Sequence, residues 1–355
     1  MTNDYKFEFR PYQRRFLRSL TTNHGRWDIR EGIILRLTDE SGKVGWGEIA
    51  PISWFGSETL EQALDFCRQL PREITDETIF SIPDELPACQ FGFESAWEMG
   101  SEFFSMPNDS SCSTWGNPIA FSVSPWEKTA LPPPCPMPHA QSFSGLLPAG
   151  EAALNQWETL WQQGYRTFKW KIGVDAIAHE LKIFESLIHT LPAFTKLRLD
   201  ANGGLSYEEA NLWLWTCDNL KANPELRLEI EFIEQPLPVE QFQQMLELST
   251  SYETAIALDE SVATLGQLAA CYQQGWRGIF VIKPGIVGSP SRLRKFCHQH
   301  QIDTVFSSVF ETAIARLAAL QLAAELSRNN RAIGFGIDHF FEQEETWLQS
   351  LWNDL

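Results

Sequence analysis

Thr167-Phe168-Lys169-Trp170-Lys171-Ile172-Gly173 is the stretch on which the fold of this chain turns. Read as a strand, it points Phe168 and Trp170 to one layer and Lys169 and Lys171 to the other. Two ammonium groups side by side on one sheet face repel each other, a poor arrangement for stability alone. The plain reading is a solvated lysine face, since surface lysines are the rule. The competing reading is a catalytic base whose neighbour holds its pKa down, because a nearby like charge disfavours protonation.

Around this stretch, from about residue 141 onward, short apolar runs ending in polar residues alternate with amphipathic segments. Residues 142–147, 166–172, 196–201, 229–235, 255–260, 278–283, 304–308 and 332–336 read as eight strands. Helix starts between them are explicit: Ser206 with Glu209 and Thr264 with Gln267 form capping boxes, and Ser289-Pro290 places a cap before a first-turn proline. Eight strand–helix units predict an α/β fold, a modified (β/α)8 (TIM-like) barrel, over residues 139–336. Neither a G-x-G-x-x-G nor a Walker A pattern supports a nucleotide-binding sheet.

Residues 1–118 read as a separate α+β unit. Strands over 32–37 and 44–49 pair across Asp39-Glu40-Ser41-Gly42, and helices follow over 59–70 and 90–104. The proline-rich segment 107–138 reads as a connector, and part of 337–355 is expected to pack back on the first unit.

The chain has 355 residues, 43% hydrophobic, with 14 tryptophans, enough for a large buried core. A net charge of -18 argues against nucleic acid and anionic membranes as partners. It leaves room for an anionic small molecule wherever lysines and a metal reverse the local sign. Seven scattered cysteines without zinc spacing, no apolar leader and no membrane-length apolar run predict a cytoplasmic protein with reduced thiols.

Barrel enzymes build their sites at C-terminal strand ends. Here those ends carry Lys171, Asp200, Glu234, Asp259 and Lys283, separated by 29, 34, 25 and 24 residues, each about one strand–helix repeat. Their neighbours Leu199, Ile233, Leu258 and Ile282 alternate outward, which turns the five charged side chains inward. Three carboxylates without His or Cys suit a hard divalent ion, Mg²⁺ first and Mn²⁺ second. Lysines flanking them suit removal of a proton α to a carboxylate, with the developing enediolate stabilised by charge. Acids at loop starts explain any one of these residues, but not five in register. Arg198 also faces inward, placed to orient a carboxylate. Asn202 is a candidate hydrogen-bond donor to a substrate carboxylate, with a loop start as the competing reading. Glu260, out of phase with Asp259, reads as a supporting partner rather than a ligand.

At these residues the chain resembles the enolase superfamily, muconate-lactonizing-enzyme subgroup. The matching segments are Lys169-Trp170-Lys171, Leu199-Asp200-Ala201-Asn202, Ile233-Glu234-Gln235-Pro236, Leu258-Asp259-Glu260-Ser261 and Ile282-Lys283-Pro284-Gly285, with Gly45-Trp46-Gly47-Glu48 near the N-terminus. The resemblance implies that Asp200, Glu234 and Asp259 bind Mg²⁺ and that Lys171 and Lys283 stand on opposite faces of a small-molecule carboxylate substrate. It also makes the N-terminal unit a capping domain, whose loops near 21–26 and 54–57 close over the pocket. Within the subgroup, Phe168 to Gly173 and Phe306-Ser307-Ser308-Val309-Phe310-Glu311-Thr312 resemble the dehydratase branch. Ile286 stands where N-succinylamino-acid racemases carry Arg, and Gly334-Phe335-Gly336-Ile337-Asp338 lacks the Asp-x-Asp of dipeptide epimerases.

The implied reaction is a carbon–oxygen lyase step of menaquinone or phylloquinone biosynthesis, the syn dehydration of 2-succinyl-6-hydroxy-2,4-cyclohexadiene-1-carboxylate to 2-succinylbenzoate. Lys171 is then the base, Lys169 the neighbour that keeps it unprotonated, and Lys283 an electrostatic partner. Ser307 and Ser308 are candidates for the succinyl carboxylate, with loop solvation as the competing reading. An N-acylamino acid racemase or dipeptide epimerase on the same scaffold is the alternative, a cycloisomerase a weaker one. A non-enzymatic barrel is disfavoured, because a decayed site would be expected to lose one of the five charged residues.

Overall fold

Alternating apolar residues build two sheets of opposite character in the computed structural model, which describes residues 3–22, 25–100, 142–223, 227–337, 340–341 and 351–352. The connector 107–138, the boundaries at 118 and 139, and most of the 337–355 tail lie outside the described residues.

The first sheet is antiparallel and contains β1 (Asp4–Thr22), β2 (Gly25–Asp39), β3 (Val44–Ile49) and β4 (Glu73–Thr75), in the order β3-β2-β1-β4. The expected β2–β3 pairing is present, with Leu35 opposite Gly47. The helix Pro87–Gly100 lies against this sheet, burying Phe93 and Ala96 with Ile33, Leu35 and Ile49. Helix and strand meet backbone to backbone. A Cβ on Gly45 or Gly47 would fall 1.9 and 2.0 Å from the carbonyl oxygens of Ala96 and Gly92. Gly47→Ala is therefore expected to destabilise the fold by about 1–3 kcal/mol, the usual cost of overpacking. A urea titration reads this as a lowered midpoint, and an unchanged midpoint would contradict the close packing.

The second sheet is parallel: β5 (Ser144–Leu147), β6 (Thr167–Lys171), β7 (Lys196–Asp200), β8 (Glu229–Glu234), β9 (Ile256–Leu258), β10 (Ile279–Ile282) and β11 (Asp303–Phe306), neighbours in that order. The eighth strand expected over 332–336 is reduced to two parallel bridges, Phe143 with Ile333 and Ser307 with Gly334. These join β5 to β11 and close the barrel. The segment packs closely on both neighbours: a Cβ on Gly334 would meet Ser307 Oγ at 2.6 Å and one on Gly336 would meet Ser144 O at 2.7 Å. Phe232, Ala257, Ile279, Val281 and Val305 fill the barrel interior, while Leu199, Ile233, Leu258 and Ile282 pack toward the helices. The capping boxes at Ser206 and Thr264 are both formed, and Ser289 accepts from Arg292 N at 3.3 Å. The fold is an α/β barrel of the modified TIM type with an N-terminal α+β cap.

Cap and barrel share their packing. Ala263, Ile286 and Val309, all from segments at the barrel rim, belong to the apolar core of the cap. Buried Glu48 of the cap accepts from the backbone N–H groups of Thr312 (2.9 Å) and Ala315 (3.3 Å), at the first turn of the barrel helix Ala313–Leu326. A carboxylate there complements the helix dipole. Arg30 donates to the carbonyls of Ala50, Pro51 (3.0 Å) and Val309 (3.0 Å), tying two cap segments to the loop after β11. From the tail, Phe341 stacks on Phe16 with centroids 4.7 Å apart, and Trp352 meets Trp46 edge-on at 4.8 Å.

Candidate active site

Strand register gathers the charged residues at one rim. Lys171 lies opposite Asp200, and Asp200 opposite Glu234. Glu234 pairs with Ala257, two residues before Asp259, and Ala257 pairs with Ile279, four before Lys283. Asp259 and Lys283 stand just past the ends of β9 and β10, where the backbone is already turning.

Asp200, Glu234 and Asp259 are all buried, and burial pushes each carboxyl above its usual pKa. Lys169 Nζ bridges two of them, 2.8 Å from Asp200 Oδ2 and 2.7 Å from Glu234 Oε1. Burial opposes its charge, but the carboxylates of Asp200, Glu234 and Asp259 outweigh it and raise its pKa. Lys283 pairs with Asp259 and lies 4.1 Å from the centre of the Phe55 ring. The pKa of Lys171 is lowered. Burial is the largest cause, Asp200 acts against it, and the Lys169 charge adds a smaller push downward. The expected effect of Lys169 on its neighbour is therefore real but secondary, and its main contacts are to two carboxylates.

Other expectations change more. Arg198 faces inward, but its Nε pairs with buried Glu231 at 2.7 Å, below the rim. A bulge in β8 beside Arg198 turns Glu231 into the barrel, where Arg331 also holds it at 2.8 Å. Arg198 is thus committed to the barrel floor rather than to a substrate. Ser308 donates its hydroxyl to Glu311 Oε2 at 2.7 Å, so the same proton cannot serve a substrate carboxylate. Ser307 sits at the rim, opposite Gly334. Asn202 donates its backbone N–H to Asp200 Oδ1 (3.1 Å) and its side-chain amide to Glu260 Oε1 (3.0 Å), linking two carboxylates rather than pointing freely into the pocket.

Sequence reasoning missed Gln235. Fully buried, it accepts from the backbone N–H groups of Asp259 (3.0 Å) and Ser261 (3.2 Å) and donates to Ser261 Oγ at 2.8 Å. It thereby fixes the turn that presents Asp259. Its place in Glu234-Gln235-Pro236 was the available signal.

The donor set fits a hard divalent cation. Asp200, Glu234, Asp259 and Glu260 share the rim with Lys169 and Lys283, and the buried Glu260 Oε2 has no hydrogen-bond partner. Uncompensated buried carboxylates call for further positive charge. Among the described residues the acids are not gathered into a ready coordination sphere, because lysine ammonium groups stand between them.

Residues 152–350 match the family described as enolase C-terminal domain-like, and residues 12–99 match the MenC N-terminal domain. The o-succinylbenzoate synthase of Thermosynechococcus vestitus is 39% identical over 339 residues, covering 94% of this chain and 93% of the relative. The chain belongs to the o-succinylbenzoate synthase family. A crystal structure of o-succinylbenzoate synthase from Thermosynechococcus elongatus BP-1, complexed with Mg in its active site, superposes with a TM-score of 0.79 at 37% identity, covering 99% of this chain and 100% of that one. The L-Ala-D/L-Glu epimerase of Bacillus subtilis superposes with a TM-score of 0.70 at 20% identity over 95% of this chain and 90% of its own, a likeness of fold alone. The two family matches span both the cap and the barrel.

Proposed function

We propose that this chain dehydrates 2-succinyl-6-hydroxy-2,4-cyclohexadiene-1-carboxylate to 2-succinylbenzoate, with Lys171 as the base. One observation supports this above the rest. Lys171, whose charged form burial disfavours, stands in register with the first of three buried carboxylates, at one end of an arc that Lys283 closes. Lys171 Nζ takes the proton from the ring carbon that bears the carboxylate. The C–O bond to the ring hydroxyl then breaks, and Lys171 returns the proton to the departing oxygen on the same face, forming water. The ring becomes benzenoid. Lys283, held by Asp259 and the Phe55 ring, contributes its charge from the opposite face.

Asp200, Glu234 and Asp259 would hold Mg²⁺, with Mn²⁺ as an alternative occupant. When bound, the cation supplies positive charge against the negative charge that builds on the substrate carboxylate. Lys169 keeps Asp200 and Glu234 in place, and Gln235 does the same for Asp259. We further propose a capping domain over 1–118, a catalytic barrel over 139–336, and a cytoplasmic setting; among the described residues no helix is long and apolar enough to cross a membrane.

Ultraviolet absorbance follows the conversion of diene to arene. Purified protein with Mg²⁺ is expected to turn over the cyclohexadiene, and EDTA to abolish turnover until Mg²⁺ is restored. Full activity in EDTA would overturn the metal assignment.

A further inference from the structure

Lys283 is one of the two lysines assigned to the reaction, yet one of its closest neighbours comes from the cap. Its Nζ lies 4.1 Å from the centre of the Phe55 ring, and Phe55 itself is 8% exposed. A cation over an aromatic face is attracted by the ring quadrupole, more strongly when both are shielded from water. Lys283 meets both conditions, with a side chain 11% exposed.

The Phe55 ring is also held firmly. Its turn, Ser53–Phe55, is closed by Phe55 N–H to Ile52 O (2.9 Å) and Gly56 N–H to Ser53 O (3.3 Å), with Ser57 Oγ accepting from Ile52 N at 2.7 Å. Gly56 has a φ of 128°, and a Cβ there would meet Ala263 at 3.1 Å, so the turn sits directly on the loop that follows Asp259. A run of aromatic contacts continues from Phe55 to Trp54 (6.0 Å), Trp27 (5.7 Å) and Phe310 (5.6 Å), joining the two cap segments to the loop after β11.

We propose that Phe55 is the positioning residue for Lys283: its ring face holds the ammonium group at the rim, so that seating of the Ser53–Phe55 turn sets where that charge stands beside the substrate. The role rests on the reading of Lys283 as the electrostatic partner, and Asp259 alone would leave the ammonium free to swing about one contact. The ring supplies the second.

Phe55→Leu keeps most of the apolar volume and removes the quadrupole. It is expected to lower kcat about 3- to 30-fold, with KM little changed. Phe55→Tyr is expected to keep kcat near that of the unaltered protein. Fluorinated phenylalanines at position 55, nearly isosteric, should lower kcat stepwise as fluorine withdraws charge from the ring face. They decide the question even if the leucine variant folds poorly. A flat fluorine series, or an effect confined to KM, would overturn the proposal. A second readout does not depend on turnover: the Lys283 ε-methylene protons, assigned through Lys283→Arg, should show an upfield ring-current shift that Phe55→Leu removes. Absence of that shift overturns the proposal; its presence without any dehydration would instead overturn the proposed reaction.

Discussion

Lys171→Ala is expected to lower kcat for dehydration by about a thousandfold, the scale on which a positioned general base contributes. Lys171 lies at the C-terminal end of β6 and Asp200 is its register partner. The alanine variant should keep its circular dichroism spectrum and its Mg²⁺ affinity, because the proposed carboxylate ligands are untouched. Unchanged dehydration would remove Lys171 from the chemistry. The pH profile adds a second reading. Burial first, and the Lys169 charge to a lesser degree, lower the pKa of Lys171. The neutral amine is the working form, so kcat/KM should rise with pH, with the rise centred below the usual lysine value of about 10.4. A rise centred at the ordinary lysine value would show that the pocket does not tune this amine.

The second large effect lies beneath the site. Glu231→Gln is expected to destabilise the fold by about 3–5 kcal/mol, because it leaves two guanidinium groups facing an amide in a buried setting. Arg198 pairs with Glu231 at 2.7 Å and Arg331 at 2.8 Å, and Arg331 also reaches Asp303 at 2.8 Å. The network thus joins β7, β8 and β11 with the segment that closes the barrel. A guanidinium chloride titration gives the loss directly, and a loss below about 1 kcal/mol would show that the network is not needed. Arg198→Met with Glu231→Met should recover part of it, since apolar replacement of both partners avoids an unpaired buried charge. Acid should act in the same direction. Burial works against the Glu231 carboxylate, but Arg198 and Arg331 outweigh it and lower its folded pKa. Its stabilising contribution is therefore complete above the unfolded carboxylate pKa, and is lost as pH falls through the lowered folded value.

The charged rim was legible in the sequence because its spacing is that of the strand–helix repeat: Lys171, Asp200, Glu234, Asp259 and Lys283 recur once per unit. The parallel strands were legible for the same reason. The strand Asp4–Thr22 was not, because its buried face reads Tyr12, Arg14, Phe16, with an arginine where the pattern needs an apolar residue. Arg198 reads inward from the sequence, but Glu231 as the carboxylate it pairs with does not. The bulge that turns Glu231 inward is a one-residue slip, which a period of two cannot reveal. The Ser308–Glu311 hydrogen bond is set by the local turn rather than by strand register, so the strand pattern carries no sign of it. Phe55 and Lys283, 228 positions apart in the chain, leave no periodic trace of their contact.

Ala263, Ile286 and Val309 are coded within the barrel but complete the apolar core of the cap. A cap from a relative cannot simply be grafted onto this barrel, because its inner surface has been shaped to these three side chains. Chimaeras built to move substrate preference between relatives should therefore succeed only when the three rim positions travel with the cap. Structurally, the cap is a unit together with these three side chains, although they lie far from it in the chain.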